Sequence, residues 1–384
     1  MKETILKNNA EIVNDTPYAL NLFFTGKCNL NCHYCFVKKE GIENSTLDEK
    51  SLKKSVDILF SYPGKKKTIS FNGGEPTLEF PLVKKIYEYA RKEAEKRGII
   101  LDVAVMTNGT LLNQEMIDYF IKNKTIVKIS IDGDKITHDQ NRPFKINPRL
   151  SSFDTIIENI NRINSGNLRL AASMVFTPRN ISRFLENIKF LNSKKFYYIE
   201  FYPDLYARWK KNDLEKVKKV FKKFEIYYIK LFKTNKKVFK NSLLDTFVND
   251  VEIEKMEKCG KIHINALGGF YVCDKVFSLG LDKRKKYIVG NIENEIDDKK
   301  RSSLLKKLRK DFFAESKLNC KKCQYYKYCF CPLGHYIYFK ENKKNVSADF
   351  WQSFCYVSRA YNETFLRIKS ALKYNARFIK LYNY

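Results

Sequence analysis

The stretch "FFTGKCNLNCHYCF" contains three cysteines, Cys28, Cys32 and Cys35, in a C-x3-C-x2-C spacing. Thiolates that lie so close together are typical of a metal centre. Three of them can hold three irons of a [4Fe–4S] cluster, which prefers four thiolate ligands, so one iron remains for an outside ligand. The alternative is a zinc site in which His33 supplies the fourth ligand.

The chain has ten cysteines among its 384 residues. Its N-terminal residues lack the apolar segment of a signal peptide, and no stretch of about 18 uncharged apolar residues is present to span a membrane. These features predict a cytoplasmic protein with no membrane partner. Because disulfides are rare in that reducing compartment, we expect the cysteines to be metal ligands.

The composition is strongly basic, with 72 Lys and Arg against 43 Asp and Glu and a formal net charge of +29. Such an excess attracts polyanions, including nucleic acid. Many of the lysines, however, fall in amphipathic segments such as 214–237, where they form the solvated face of a helix. The sequence has no arginine-rich arm and no repeated aromatic-basic platform, so a nucleic-acid partner is not favoured.

Strand-like and helix-like segments alternate along the first half of the chain. The predicted strands are 18–24, 67–71, 100–106, 125–131, 168–176 and 196–202. The predicted helices are 46–60, 80–97, 113–122, 151–164 and 180–192. This alternation predicts an α/β fold with a parallel sheet, a partial (β/α)6 TIM-like barrel.

From about residue 256 the alternation gives way to cysteine, glycine and short strand-like pieces, with a polar helix near 299–310 and a final helix over 356–374. This change predicts a cysteine-rich α+β domain after the barrel. The predicted organisation is an N-terminal extension (1–17), the barrel core (18–205), a helical linker (206–255), the cysteine-rich domain (256–355) and a C-terminal helix (356–384).

A short motif follows each of the first four predicted strands. After the cysteine loop come "FNGGEP" with Gly73, Gly74 and Glu75, "MTNGT" with Thr107 and Asn108, and "SIDG" with Ser130 and Asp132. Loops at the carboxyl ends of parallel strands open at one mouth, where barrel enzymes keep their chemistry. We therefore expect these motifs to converge on the cysteine loop.

Together these motifs resemble the radical SAM superfamily over residues 18 to about 205. The resemblance implies a [4Fe–4S] cluster on Cys28, Cys32 and Cys35, whose remaining iron binds the amino and carboxylate groups of S-adenosylmethionine. It also implies the residues that hold this cofactor: Glu75 and the backbone of Gly73 and Gly74 at the amino group, Tyr34 at the adenine, and Ser130 and Arg142 at the carboxylate. Asn108 is assigned to the same site. An Arg–carboxylate pair is also what physical chemistry favours there.

The other seven cysteines look like a SPASM domain, the extension of peptide-modifying radical SAM enzymes that carries two auxiliary [4Fe–4S] clusters. The resemblance assigns to the first auxiliary cluster Cys259, Cys273 and Cys331, and to the second Cys320, Cys323, Cys329 and Cys355. The chain departs from the family in the C-x-C step at 329–331 and has no cysteine within 260–272. We therefore expect the first auxiliary cluster to have an open iron or another ligand such as His263. A pair of zinc ribbons is the alternative for these cysteines.

The resemblance implies an enzyme in which S-adenosylmethionine yields a 5′-deoxyadenosyl radical that abstracts hydrogen from an unactivated carbon. Two auxiliary clusters suit an oxidative outcome, so the expected activity is modification or cross-linking of a side chain in a ribosomally made precursor peptide. The expected reductant is a flavodoxin or ferredoxin. Because the barrel starts by residue 18, we expect no N-terminal leader-binding domain, so the leader binds the barrel, the SPASM surface or a separate protein.

Three alternatives remain open from the sequence. The first is an anaerobic sulfatase-maturating enzyme, which forms formylglycine from Cys or Ser. The second is a nucleic-acid-modifying radical enzyme, which the net charge would suit. The third is a non-catalytic electron carrier, which would leave Glu75, Ser130 and Arg142 without a role.

Asp274, directly after Cys273, is the predicted catalytic base. In the maturases that this chain resembles, an aspartate at this position takes a proton from the substrate after hydrogen abstraction. A carboxylate with a normal or slightly raised pKa suits that role. The alternative is a surface acid that begins a turn.

Overall fold

The computed structural model describes residues 15–37, 41–162, 170–194, 196–204, 206–234, 236–249, 259–316, 318–329, 331–342 and 348–382. Most of the predicted N-terminal extension and residues 250–255 of the predicted linker lie outside the described residues. So do residues 163–164 of a predicted helix and 168–169 of the fifth predicted strand.

The strands are β1 (Ala19–Thr25), β2 (Lys66–Gly73), β3 (Ile100–Thr107), β4 (Ile126–Ser130), β5 (Leu170–Phe176), β6 (Tyr198–Pro203), β7 (Lys261–Asn265), β8 (Gly269–Tyr271), β9 (Ile288–Asn291) and β10 (Glu295–Ile296). They form a sheet in the order β10-β9-β8-β7-β1-β2-β3-β4-β5-β6. Each neighbouring pair from β1 to β6 is parallel. The predicted partial (β/α)6 barrel is therefore confirmed.

The helices are α1 (Glu49–Ser61), α2 (Phe80–Lys96), α3 (Gln114–Lys122), α4 (Lys135–Asn141), α5 (Ser152–Arg162), α6 (Phe184–Ser193), α7 (Lys211–Lys233), α8 (Ser242–Val248), α9 (Leu281–Arg284), α10 (Asp298–Ser316), α11 (Leu333–Glu341), α12 (Ala348–Leu372) and α13 (Ala376–Tyr382). The short helix α4 was not predicted. The predicted boundary at 355/356 falls inside α12, so Cys355 lies within that helix and not ahead of it. Among the described residues, no helix combines the length and apolar character needed to cross a membrane.

The cysteine-rich region shares its sheet with the barrel. Strand β7 runs parallel to β1, with His263 opposite Asn21, and β8 and β9 continue the sheet with antiparallel pairing. The sequence predicted a cysteine-rich α+β domain after the barrel, and did not indicate that its strands extend the barrel sheet. Because the backbone of β1 has a free edge on the side away from β2, it pairs with β7 and joins the two regions.

The strands of the barrel have an apolar face and a polar face. In β2 and β4, apolar residues such as Ile69, Phe71 and Val127 are buried and join the side chains of the helices in one core. The alternate residues, including Lys128 and Ser130, are partly exposed on the opposite face. Since side chains alternate across a strand, this pattern leaves a polar surface inside the partial barrel.

Aromatic packing connects the predicted linker and the C-terminal helix to the barrel. Phe221 of α7 stacks on Phe184 of α6 at a centroid distance of 5.1 Å and lies 5.5 Å from Tyr361 of α12. Tyr361 also donates a hydrogen bond to the backbone carbonyl of Phe201 in β6 at 2.9 Å. Both helices are thus packed against the barrel.

Candidate active site

The glycine-rich loop after β2 supports the cysteine loop from one side. The backbone N–H of Gly74 donates to the carbonyl of Thr25, and that of Glu75 donates to the carbonyl of Lys27, both at 2.7 Å. A Cβ on Gly74 would lie 2.1 Å from the Lys27 oxygen, and Gly73 has a φ of +123°. Only glycine permits this approach of the two backbones.

The C-terminal end of α4 and the segment after it support the cysteine loop from the other side. The backbone N–H of Asn31 donates to the carbonyl of Pro143 at 2.8 Å, and that of His33 donates to the carbonyl of Asn141 at 2.9 Å. This pairing holds Arg142 next to the cysteine loop. The sequence placed Arg142 near the cofactor only through the family resemblance.

Glu75 joins the loops after β2 and β3. Its side chain is fully buried. Oε1 accepts hydrogen bonds from the Thr107 hydroxyl at 2.7 Å and from the Thr77 backbone N–H at 3.0 Å. Oε2 accepts one bond from the described residues, from the Asn108 backbone N–H at 2.6 Å. Burial raises the pKa of Glu75, although these hydrogen bonds oppose the rise. Because a carboxylate oxygen can accept two hydrogen bonds, Oε2 keeps capacity for a further donor.

The loop after β3 also holds the cysteine loop through a side-chain network. Nδ2 of Asn108 donates to Oδ1 of Asn29 at 2.7 Å, and Nδ2 of Asn29 donates to the Thr110 hydroxyl at 2.8 Å. Nδ2 of Asn108 also lies 4.0 Å from the Cys28 sulfur. The predicted convergence of the loops on the cysteines therefore includes Asn108.

Asp132 organises the remaining side of the site, and the sequence assigned it no role. It is fully buried and accepts hydrogen bonds from Arg142 at 3.1 Å and from the Tyr34 hydroxyl. The Arg142 guanidinium also lies over the Tyr34 ring, 5.1 Å from its centroid. Burial pushes the pKa of Asp132 up, but Arg142 and the neighbouring His138 hold it below its usual value. Ser130 ends β4, two residues before Asp132.

The three cysteines of the loop lie close to one another, and each is partly exposed. Burial raises the pKa of Cys28 to about 12, with further contributions from Glu75, Cys32 and Cys35. Burial also raises the pKa of Cys32 to about 11, although Arg142 favours its thiolate. These thiols are protonated near neutral pH, so a bound cation has to displace their protons.

Four of the cysteines of the C-terminal region form a further group. Burial raises the pKa of Cys355 to about 12, and the nearby Cys329, Cys320 and Cys323 add to the rise. The four cysteines assigned to the second auxiliary cluster therefore lie together.

Two of the three cysteines assigned to the first auxiliary cluster are also close to each other. Burial raises the pKa of Cys273, and Cys331 contributes to the rise. The third, Cys259, precedes β7, and its backbone N–H donates to Asp15 at 2.8 Å.

Among the described residues, no three His, Cys, Asp or Glu side chains are arranged to hold one metal ion. In a [4Fe–4S] cluster each thiolate binds a different iron, whereas the ligands of a zinc site all bind one ion.

Asp274 has a different environment from the one predicted. Its Oδ2 accepts a hydrogen bond from the Lys275 ammonium at 2.8 Å, and its Oδ1 lies 3.7 Å from the Cys273 sulfur. Burial would raise the pKa of Asp274, but Lys275 and His263 outweigh it and hold that pKa well below its usual value. The prediction of a normal or slightly raised pKa is wrong, because the sequence did not reveal how closely Lys275 folds back.

A polar group on the inner face of the barrel was missed entirely. Lys128 of β4 lies 3.0 Å from Oε2 of the buried Glu200 on β6, and the Tyr202 hydroxyl donates to the same oxygen at 2.6 Å. Burial would raise the pKa of Glu200, but Lys128 and Tyr202 hold it below its usual value. An acid inside the apolar run "YYIEFYP" was the signal that could have indicated this group.

The family comparison matches this geometry. The model of the radical SAM superfamily matches residues 22–191, which include the cysteine loop and the loops that converge on it. Residues 22–191 form a radical SAM domain. A radical SAM domain implies a [4Fe–4S] cluster and S-adenosylmethionine as cofactors.

Several curated proteins resemble the chain. It is 34% identical over 172 residues to an uncharacterized protein of Methanocaldococcus jannaschii, covering 45% of the chain and 57% of that protein. It is 32% identical over 201 residues to the serine-type anaerobic sulfatase-maturating enzyme of Bacteroides thetaiotaomicron, covering 49% of the chain and 47% of the enzyme. The chain thus spans about half the length of these relatives. Similarity to a cysteine-type enzyme of Clostridium perfringens is longer, at 24% identity over 331 residues, 79% of the chain and 84% of that enzyme.

Solved structures share the fold. Native anSMEcpe with bound AdoMet and Cp18Cys peptide superposes with a TM-score of 0.71 at 22% identity, covering 93% of this chain and 99% of that one. Streptococcus suis SuiB bound to precursor peptide SuiA gives a TM-score of 0.56 at 18% identity, covering 82% and 71%. The radical SAM fold and its cysteine-bearing C-terminal extension are therefore both present.

Proposed function

We propose that this chain is a radical SAM enzyme that oxidatively modifies a side chain of a ribosomally made precursor peptide. The observation that carries the proposal is the convergence of the loops after β2, β3 and β4 on Cys28, Cys32 and Cys35. That convergence places an acceptor, Glu75, and a cation, Arg142, near three thiols that suit three irons of a cluster.

In this proposal each side of the site has a separate task. The carboxylate of Glu75 receives the ammonium of S-adenosylmethionine at Oε2, where one acceptor position remains. Arg142 receives the carboxylate, and its ion pair with Asp132 fixes the guanidinium beforehand. When bound, the cluster and S-adenosylmethionine supply a radical that abstracts hydrogen from an unactivated carbon.

The substrate side chain is handled by other residues of this chain. Asp274 is the proposed acceptor of the substrate proton, and its ion pair with Lys275 keeps the carboxylate ionised but makes it a weaker base than the sequence led us to expect. The polar group of Lys128, Glu200 and Tyr202 lines the inner face of the barrel and orients polar parts of the peptide. The two auxiliary sets of cysteines would hold [4Fe–4S] clusters, which would provide an acceptor for the substrate electron, and a flavodoxin or ferredoxin would be the reductant.

A second candidate function is maturation of a sulfatase. It is favoured by the extent of the similarity to a Clostridium perfringens sulfatase-maturating enzyme, which reaches 84% of that enzyme. The similarity in fold supports sulfatase maturation and precursor-peptide modification equally. The solved structures with this fold include one with a Cp18Cys peptide and one with a precursor peptide. Both candidates modify a side chain of a peptide or protein.

Mass spectrometry separates the two candidates. The reconstituted enzyme is incubated anaerobically with S-adenosylmethionine, a reductant and either a sulfatase-derived Cys or Ser peptide or the peptide encoded beside its gene. A cross-link removes two hydrogen atoms and leaves sulfur in place, whereas formylglycine made from cysteine loses the sulfur and reacts with a hydrazide probe. Release of 5′-deoxyadenosine without any change in either peptide class would contradict the proposed peptide substrate.

A further inference from the structure

We propose that His335 is the fourth ligand of the first auxiliary cluster. The inference rests on the proposed function, because it presumes that the auxiliary clusters form. Three thiolates are assigned to this cluster, Cys259, Cys273 and Cys331, so one of its four irons needs another ligand. The sequence offers no cysteine within 260–272 for that role.

The start of α11 brings His335 to the cysteines of this cluster. A Cβ built on the preceding residue, Gly334, would lie 3.0 Å from the Cys273 sulfur. Cys331 lies four residues before His335, and its backbone contacts the His335 ring. Cys273 and Cys331 interact electrostatically with each other. The imidazole therefore contacts the backbone of one assigned cysteine, and the residue before it approaches the sulfur of another.

The imidazole is buried and fixed, yet one of its nitrogens is unused. His335 is 6% exposed, and its ring lies between Tyr206 and Phe354 at centroid distances of 5.0 and 5.7 Å. Among the described residues, Nδ1 has no hydrogen-bond partner. Buried polar atoms are nearly always paired, and each exception calls for an explanation. A neutral imidazole nitrogen is a good iron ligand, so a cluster iron supplies the missing partner.

One ring nitrogen of His263, the ligand considered from the sequence, is already hydrogen-bonded. It lies within β7, and its Nδ1 is 3.1 Å from Nδ2 of Asn21 on the neighbouring strand β1. An amide Nδ2 can only donate, so Nδ1 of His263 already accepts a hydrogen bond. To bind iron through this nitrogen, His263 would have to give up a contact that joins the two strands.

Pulsed EPR on the full-length protein tests the assignment without measuring activity. The protein is labelled with ¹⁵N-histidine, reconstituted anaerobically without S-adenosylmethionine and reduced. We expect a strong hyperfine coupling to a histidine nitrogen that disappears in His335→Ala and persists in the matched control His263→Ala. His335→Cys should keep the cluster but lose the coupling, because a thiolate replaces the imidazole.

Three results would overturn the proposal. The first is the absence of a strongly coupled nitrogen in the labelled, unaltered protein, which does not depend on any variant folding. The second is loss of the coupling in His263→Ala instead of His335→Ala. The third is an iron content of about four per chain instead of about twelve. Only the third result would also remove the auxiliary clusters from the proposed function. Failure of the His335 assignment can therefore be distinguished from failure of the proposed function.

Discussion

Replacing Asp132 with asparagine should destabilise the iron-free protein far more than replacing Asp134 with asparagine. Asp132 is fully buried and accepts four hydrogen bonds, with Arg142 and the Val175 N–H at Oδ1 and Tyr34 and Asn141 at Oδ2. Asp132→Asn keeps one acceptor oxygen, so two donors lose their acceptor at about 1–3 kcal/mol each. The Arg142 charge also loses its counter-ion, and breaking a buried pair costs about 3–5 kcal/mol. Since the two estimates describe the same contacts, we expect a loss of about 3–5 kcal/mol in the free energy of unfolding.

The matched control is Asp134→Asn, two residues along the same loop. Asp134 caps α4 by accepting from the Thr137 N–H at 2.9 Å and pairs with the partly exposed Arg183. Asparagine is as good an N-cap as aspartate, and surface ion pairs contribute about 0–1 kcal/mol. This variant should therefore lose less than about 1 kcal/mol.

Urea unfolding of the reduced, iron-free proteins, followed by circular dichroism, measures both losses. The double variant Asp132→Asn/Arg142→Gln should lose less than the sum of the single variants, because it leaves no uncompensated charge. The pKa of Asp132 is lowered on folding, so its contribution is complete above the ordinary carboxyl pKa and is lost as the pH falls through the folded value. Equal losses in Asp132→Asn and Asp134→Asn would refute the view that Asp132 is the charge that holds Arg142.

Three further predictions concern the cysteines and the proposed base. Replacing Cys28, Cys32 and Cys35 together by alanine should lower the iron content from about twelve to about eight irons per chain. If the unaltered protein instead contained zinc and little iron, the cluster assignment would be contradicted. Cluster assembly should become more complete as the pH rises from about 7 to 9. The reason is that the pKa values of Cys28 and Cys32 are raised to about 12 and about 11, and each bond to iron displaces a proton. Iron incorporation that does not change with pH would contradict this prediction. Asp274→Asn should still release 5′-deoxyadenosine but form at least about tenfold less modified peptide, and an unchanged yield by mass spectrometry would place the proton acceptor elsewhere.

Much of the barrel could be predicted because the sequence signals of its strands and turns come from neighbouring residues. The strand starts and ends agree with the structure to within about two residues where both are described, since alternating apolar runs and turn motifs are read from neighbouring positions. The loops after β1 to β4 converge as predicted, because parallel strands place their carboxyl ends at one edge. Glu75 and Asn108 were found in this way, and their hydrogen bond joins two of the predicted loops.

The sequence by itself determined the cysteine spacings, the order of strands and helices, and therefore the class of chemistry. Only the tertiary structure decided which distant groups meet. The ion pair of Asp132 with Arg142, the contact of Lys128 with Glu200, and the approach of Gly334 to Cys273 each join residues from different elements. Such contacts depend on how separate elements pack, which no periodicity in the sequence records. For the same reason β7 could be predicted as a strand-like piece but not as the neighbour of β1, because a strand's partner is chosen by the free backbone edge that the folded sheet presents.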